Sequence, residues 1–144
     1  MRFRDSLAEQ LKRNTVALIS LVFAMTTLGY TSWRMEHSEE NQNIRAAGFE
    51  ILMQLGKLQL NVDYSYYGED DERGNPISAW THVLLIRDLS RIMPGDMPDK
   101  ADKLFATWQE NWQHVRTSES HTEAITAAIT EARQATLESL ESLD

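Results

Sequence analysis

From Asn14 to Trp33 the chain reads NTVALISLVFAMTTLGYTSW, twenty residues without a charged side chain, bounded by Lys12 and Arg13 before it and by Arg34 after it. Wound as an α-helix, such a run is about 30 Å long, the thickness of the hydrocarbon core of a bilayer. A helix is also the one single-segment structure that satisfies its own backbone polar groups inside lipid. The run therefore predicts a transmembrane helix over residues 15–33. Tyr30 and Trp33 stand at its outer end, where amphipathic rings favour the headgroup region, and the basic residues Arg2, Arg4, Lys12 and Arg13 precede it. By the positive-inside bias, residues 1–14 form a cytoplasmic tail and residues 34–144 a domain on the far side. A cleavable signal peptide is the competing reading; it would have a purely basic start, a shorter apolar core and a small-x-small cleavage site. Here Asp5 and Glu9 interrupt the start, Phe3, Leu7 and Leu11 give it an amphipathic helical spacing, and no Ala-x-Ala follows. The expectation is a retained single-pass anchor.

Charge divides the chain at the same place. Residues 1–33 carry four basic and two acidic side chains, and residues 34–144 carry ten and twenty, a formal +2 against −10. Phosphate recognition needs clustered Lys and Arg on one face, so nucleic acid is excluded as a partner of the larger domain. No cysteine is present. That removes disulfides, thiolate metal sites and cysteine nucleophiles, and leaves the domain to hold together by packing, which a domain of about 110 residues can do.

Within the apolar run, Ala17, Ser20, Ala24, Thr27 and Thr31 recur at spacings of 3 and 4 and share one helix face. Small side chains let two helices approach closely in lipid, so this face is a candidate for pairing two copies through the transmembrane helix. Thr and Ser bonding back to their own helix give the same pattern without a partner.

Four helical segments follow from periodicity and punctuation. The first continues from the membrane to about Tyr66 with a heptad seam of Ile44, Gly48, Ile51, Leu55, Leu58 and Val62; Gly48 and Gly56 mark close helix contact. YYGEDDERGNP ends it. The second starts with Asn75 as N-cap and Pro76 at the first position, and its apolar body, Ala79–Met93, reads as the most buried helix. The third covers about Pro98–Arg116, with Ala101, Leu104, Phe105, Trp108, Trp112 and Val115 on one face. The fourth opens at Ser120 with Glu123 three residues on, a capping box, and carries Ile125, Ala128, Ile129, Ala132, Thr136, Leu140 and Leu143; its turns after Thr136 are expected to fray. No stretch alternates with period two. The fold class is all-α: a transmembrane helix continuing into an up-and-down four-helix bundle.

Candidate chemistry is sparse. Di-iron bundles need Glu-x-x-His, and none of His37, His82, His114 and His121 has a carboxylate three residues before it. Glu110 with His114, and His37 with Glu40, read as exposed polar pairs. Asp63, Ser65 and Gly68 match positions 1, 3 and 6 of a calcium loop, but Tyr67 and Gly74 occupy positions 5 and 12, where ligands are required. No cofactor or metal is expected. His82 falls on the most apolar helix, where it is either a satisfied core histidine or a pH or ligand sensor. Tyr64, Tyr66 and Tyr67, followed by Glu69, Asp70 and Asp71, join aromatic and acidic surface at one end of the bundle, a candidate partner-binding tip. Trp108 and Trp112 share the stripe of Leu104 and read as core rather than as a ligand cage. Nucleophile and phosphate-loop motifs are missing, and the chain is expected not to be an enzyme.

The run NIRAAGFEILMQLGKLQL (Asn43–Leu60), GNP before Trp80 and the Trp108/Trp112 pair resemble a family of short, uncharacterised bacterial single-pass membrane-anchored helical proteins. The resemblance covers most of the chain and implies no activity, cofactor or catalytic residue. In architecture the chain is similar to the input regions of bacterial chemoreceptors and sensor kinases, but it shows neither their second transmembrane helix nor their signalling domain, so autonomous signalling is not implied. These features lead to the expectation of a non-enzymatic accessory module in a bacterial inner membrane, its bundle offered to a protein partner on the periplasmic side. The alternative is a bundle that senses a small ligand.

Overall fold

The computed structural model describes residues 14–68 and 72–143, with the backbone alone at His37. The described chain is helical, with four helices: α1 Thr15–Tyr67, α2 Pro76–Ser90, α3 Met97–Asn111 and α4 Glu119–Glu141. Of the tail expected over residues 1–14, residues 1–13 lie outside the described residues, as do Glu69, Asp70 and Asp71. The chain divides into two units, one ending at Glu40 and one running from Asn41 to Asp144.

In the first unit, α1 contains one stretch long and apolar enough to cross a membrane, none of it buried among the described residues. Val16 is 77% and Phe23 75% exposed. The hydroxyls of Thr26, Thr27 and Thr31 each donate to the carbonyl four residues earlier, at 2.8 Å. This is the usual way a hydroxyl is satisfied on a helix in an apolar environment.

The second unit is a helical bundle. The expected seam packs inside it: Ile51, Leu55, Leu58 and Val62 are completely buried. Neighbours run antiparallel. Gln54 of α1 meets His82 of α2 while Asn61 meets Ser78, so sequence numbers rise on one helix as they fall on the other. Arg45 reaches the Leu143 carbonyl and Gln59 reaches Thr126 of α4 in the same opposed order. Between α3 and α4, Thr136 bonds to the Met97 sulfur, and Thr122 bonds to the Val115 carbonyl in the turns that follow α3. Asp102 of α3 takes Arg87 at 2.7 Å and Arg91 at 2.9 Å from α2, and Glu131 of α4 takes Lys103 at 2.7 Å and Lys100 at 3.0 Å. The hydrogen bond from Arg87 lowers the Asp102 pKa, and that from Lys103 lowers that of Glu131. These pairs are partly exposed, so they fix helix register more than they stabilise the fold.

Three local expectations need correction. First, α2 is not the most buried helix: it closes only the stripe of Ala79, Val83, Ile86 and Ser90, while Ile77 and Leu84 stay exposed. A bundle helix touches two neighbours and leaves its outer face open, however apolar that face is. Second, α3 stops at Asn111 rather than Arg116. The Asn111 side chain donates to the Thr107 carbonyl at 2.6 Å, competing with the helical ladder, and residues 112–117 continue as turns that still bury Val115. Third, no capping box forms at Ser120. Ser118 is the N-cap of α4, and its hydroxyl contacts Ser120 and the His121 ring rather than a backbone N–H. The end of α4 remains helical to Glu141. Asn75 caps α2 as expected, accepting from the Ile77 N–H at 3.0 Å, with Pro76 next.

The two α1 glycines of the bundle differ. A Cβ on Gly48 would lie 2.7 Å from Leu140 Cδ2, so a close α1–α4 approach accounts for it, whereas a Cβ on Gly56 would meet nothing within 4 Å. Gly48→Leu is expected to lower the unfolding free energy by about 1–2 kcal/mol through overpacking, since leucine itself suits a helix. Combining it with Leu140→Ala should recover part of the loss. A double-mutant cycle in urea measures that coupling.

Candidate functional site at the α1–α2 corner

The corner is built on a polar residue set into the apolar seam of α1. Asn61 is buried, and its Nδ2 donates to the carbonyls of Arg73 and Asn75 at 2.9 and 3.0 Å. One helical turn on, buried Ser65 donates to the Gly74 carbonyl at 2.6 Å, which Arg116 also reaches at 3.2 Å. Gly74 is pressed so closely onto α1 that a Cβ there would lie 2.7 Å from Ser65 N and from the Tyr64 carbonyl carbon and oxygen. Residues 72–75 are thereby clamped to α1. Of the three residues of the calcium-like spacing, Ser65 spends its hydroxyl in the clamp and Asp63 Oδ1 accepts from Gln59 at 2.8 Å.

The candidate tyrosines divide between structure and surface. The hydroxyl of half-buried Tyr64 accepts from Arg73 at 3.3 Å, and the guanidinium lies 5.7 Å from its ring centroid. Tyr66 packs edge-on against Tyr67 with centroids 4.6 Å apart. Burial raises the Tyr66 pKa, assisted by Glu119, Tyr67 and Glu123, so its hydroxyl stays protonated at neutral pH. Tyr67 is 75% exposed and is the tyrosine most open to a partner.

His82 is half-buried on α2, with Nδ1 2.6 Å from Gln54 Oε1. Gln54 Nε2 donates to Glu50 Oε1 at 2.6 Å, which leaves Gln54 Oε1 as an acceptor and places a proton on His82 Nδ1. Desolvation, and then the charge of Lys57, lower the His82 pKa below its ordinary 6.5. The unfolded chain therefore takes up the proton first as pH falls, and the contribution of neutral His82 is complete above about pH 6.5 and lost below it. His82→Gln is expected to flatten the stability profile as pH falls below about 6.5, above the range in which Asp102 and Glu131 titrate. Urea midpoints of both proteins across that window measure the slope; equal slopes would show that His82 is not the group responsible.

Trp80 gathers an aromatic cluster, edge-on to Phe105, Trp108 and Trp112 at 5.8, 6.3 and 6.2 Å. Trp108 is completely buried in the core, and the partly buried Trp112 packs against it. The Trp108 Nε1 and the Asn61 Oδ1 are buried without a hydrogen-bond partner. The rings of His114 and His121 lie 5.0 Å apart. Among the described residues, no three His, Asp or Glu side chains converge as a metal site. Two open surface clefts of about 400 Å³ lie on the bundle, one beside Lys100 and Glu131, the other beside Gln59, Asp63 and Thr126. Ala17, Ser20, Ala24, Thr27 and Thr31 are all exposed on α1.

Asn61, Ser65 and Gly74 were not legible as a clamp, because an Asn in a seam signals nothing until the loop it holds is known. The exposed Phe49, Met53 and Leu60 also escaped notice beside the stronger buried seam, although their 4 and 7 spacing was available. No family model matches the chain, and no curated protein or solved structure is similar to it.

Proposed function

We propose that this protein is a membrane-anchored, non-enzymatic interaction module, held in a bacterial inner membrane by residues 15–33 and presenting its bundle to a protein partner in the periplasm. The observation that carries the reading is the exposed apolar stretch of α1, from Val16 to Leu28, whose side chains no described segment shields. Water disfavours such a surface by about 25 cal/mol per Å², and a bilayer covers a helix of that length. The acidic domain beyond it, with Tyr67 and an arginine-braced corner on its surface, supports recognition of a protein rather than of nucleic acid.

The test is fractionation of bacterial cells making the full chain. Retention in membranes after an alkaline wash, with the bundle cleaved by protease added outside spheroplasts, supports anchor and orientation. Release into the soluble fraction overturns the anchor, and protection of the bundle overturns the orientation. Extraction in mild detergent followed by mass measurement then identifies a stoichiometric companion.

A further inference from the structure

Within the bundle unit, α1 has two apolar faces, and the bundle uses one. Ala47, Gly48, Ile51, Gln54, Leu55, Leu58, Asn61 and Val62 face inward and are buried. On the opposite face Ala46, Phe49, Met53, Gly56 and Leu60 are exposed, at spacings of 3, 4, 3 and 4. Phe49 is 62%, Met53 51% and Leu60 55% exposed. A seven-residue repeat of this kind is the a/d pattern of a coiled coil, which another helix of the same pitch covers knob into hole. Scattered exposed apolar side chains need no explanation, but five consecutive heptad positions are a contiguous stripe.

Gly56 points the same way. It sits in mid-helix where a Cβ would meet nothing within 4 Å, so no contact among the described residues requires a glycine there. Relative to alanine it weakens the helix by about 1 kcal/mol. Gly48 is accounted for by Leu140, whereas Gly56 leaves open room on the exposed face that a helix from outside could enter.

Charge then selects the occupant. With Ala46, Met53 and Leu60 as a positions and Phe49 and Gly56 as d, Arg45 takes position g and Glu50 the following e. In a parallel in-register pair, g of one chain faces e of the other five residues on, so Arg45 meets the second copy's Glu50 twice about the two-fold axis. Arg45 has five N–H donors and Glu50 two oxygens, so both keep their contacts with Leu143 and Gln54. No like charges face each other across these positions. The repeat ends at Asp63, which would confront its own copy at the next d position.

We infer that the outer face of α1, Ala46 to Leu60, is a homodimer seam that pairs two copies of this chain in parallel. The direction rests on the membrane reading proposed above: two chains anchored in one bilayer by the N-terminal part of α1 enter the seam from the same end. Two heptads are short for a coiled coil in free solution, and the anchor raises the effective concentration of one copy about the other.

The absence of cysteine makes the test direct. Single-cysteine versions of the full chain, at Ala46, Phe49, Met53, Gly56, Leu60, Lys57 and the exposed α3 residue Gln109, are oxidised in isolated membranes. A parallel in-register seam gives disulfide dimers at all five seam positions, with only background yield at Lys57→Cys and Gln109→Cys. Phe49→Glu, introduced beside Met53→Cys, abolishes the dimer band while the helical circular dichroism of the purified chain is retained, because Phe49 is exposed and takes no part in the core. Equal yields at all seven positions, a band at one seam position only, or no band in chains that remain in the membrane pellet would overturn the inference and leave the anchor standing. The seam pattern in chains found in the soluble fraction would overturn the anchor and leave the pairing standing.

Discussion

Trp108→Ala is expected to lower the unfolding free energy by about 3–5 kcal/mol, the range for emptying a fully buried aromatic site. Trp108 has no exposed surface, and the edge-on contact with Trp80 is lost with its ring. A domain of this size typically has about 5–15 kcal/mol in all, so the variant will sit near its stability limit. Urea titration of the full chain in detergent, followed by helical circular dichroism, gives the loss as a lower midpoint with little change in slope. Trp108→Phe should be far milder, since it keeps most of the packing and deletes a buried N–H that lacks a partner. A loss below about 1 kcal/mol for Trp108→Ala would be inconsistent with a closed site around the ring.

Gly74→Ala is the second large effect. The atoms a Cβ would strike at 2.7 Å are backbone atoms of Tyr64 and Ser65, which cannot rotate away as the side chain of Leu140 can at Gly48. Residues 72–75 must lift off α1, which breaks the Ser65 bond to the Gly74 carbonyl and disturbs those from Asn61. The expected loss is about 3 kcal/mol, the upper end of overpacking costs. Hydrogen exchange would show it as faster exchange at the C-terminal turn of α1 and the start of α2, with α3 less affected. Asn61→Ala should reproduce the same regional pattern by removing the donor instead of the space, since the loop then loses its bonds from Asn61 to the Arg73 and Asn75 carbonyls.

The four helices were readable because each has a cause within its own sequence. The heptad of Ile51, Leu55, Leu58 and Val62, the Asn75-Pro76 start and the breaks around Gly74 and Pro94 act over distances the chain itself spans. Where an element's end depends on a side chain's choice between partners, the sequence was misleading. Ser118 bonds His121 and Ser120 instead of a backbone N–H, and Asn111 takes the Thr107 carbonyl. The excess apolar character of α2 likewise predicted burial that its position with two neighbours does not provide.

By itself, the sequence determined the uncharged stretch long enough to cross a bilayer, the charge contrast on either side of it, and an all-helical domain without cysteine chemistry. Tertiary structure decided which residues of α1 face inward. Hydrophobic periodicity marks a helix face as apolar, but only the placement of α2 and α4 shows that Leu55 is spent on the core while Met53, two residues earlier, is left open. It also decided the role of Asn61, whose partners lie in a loop about 12 residues on, and of Gly74, whose partners lie on α1, because a hydrogen bond or a close approach is fixed by distance in space, which residue order alone does not encode.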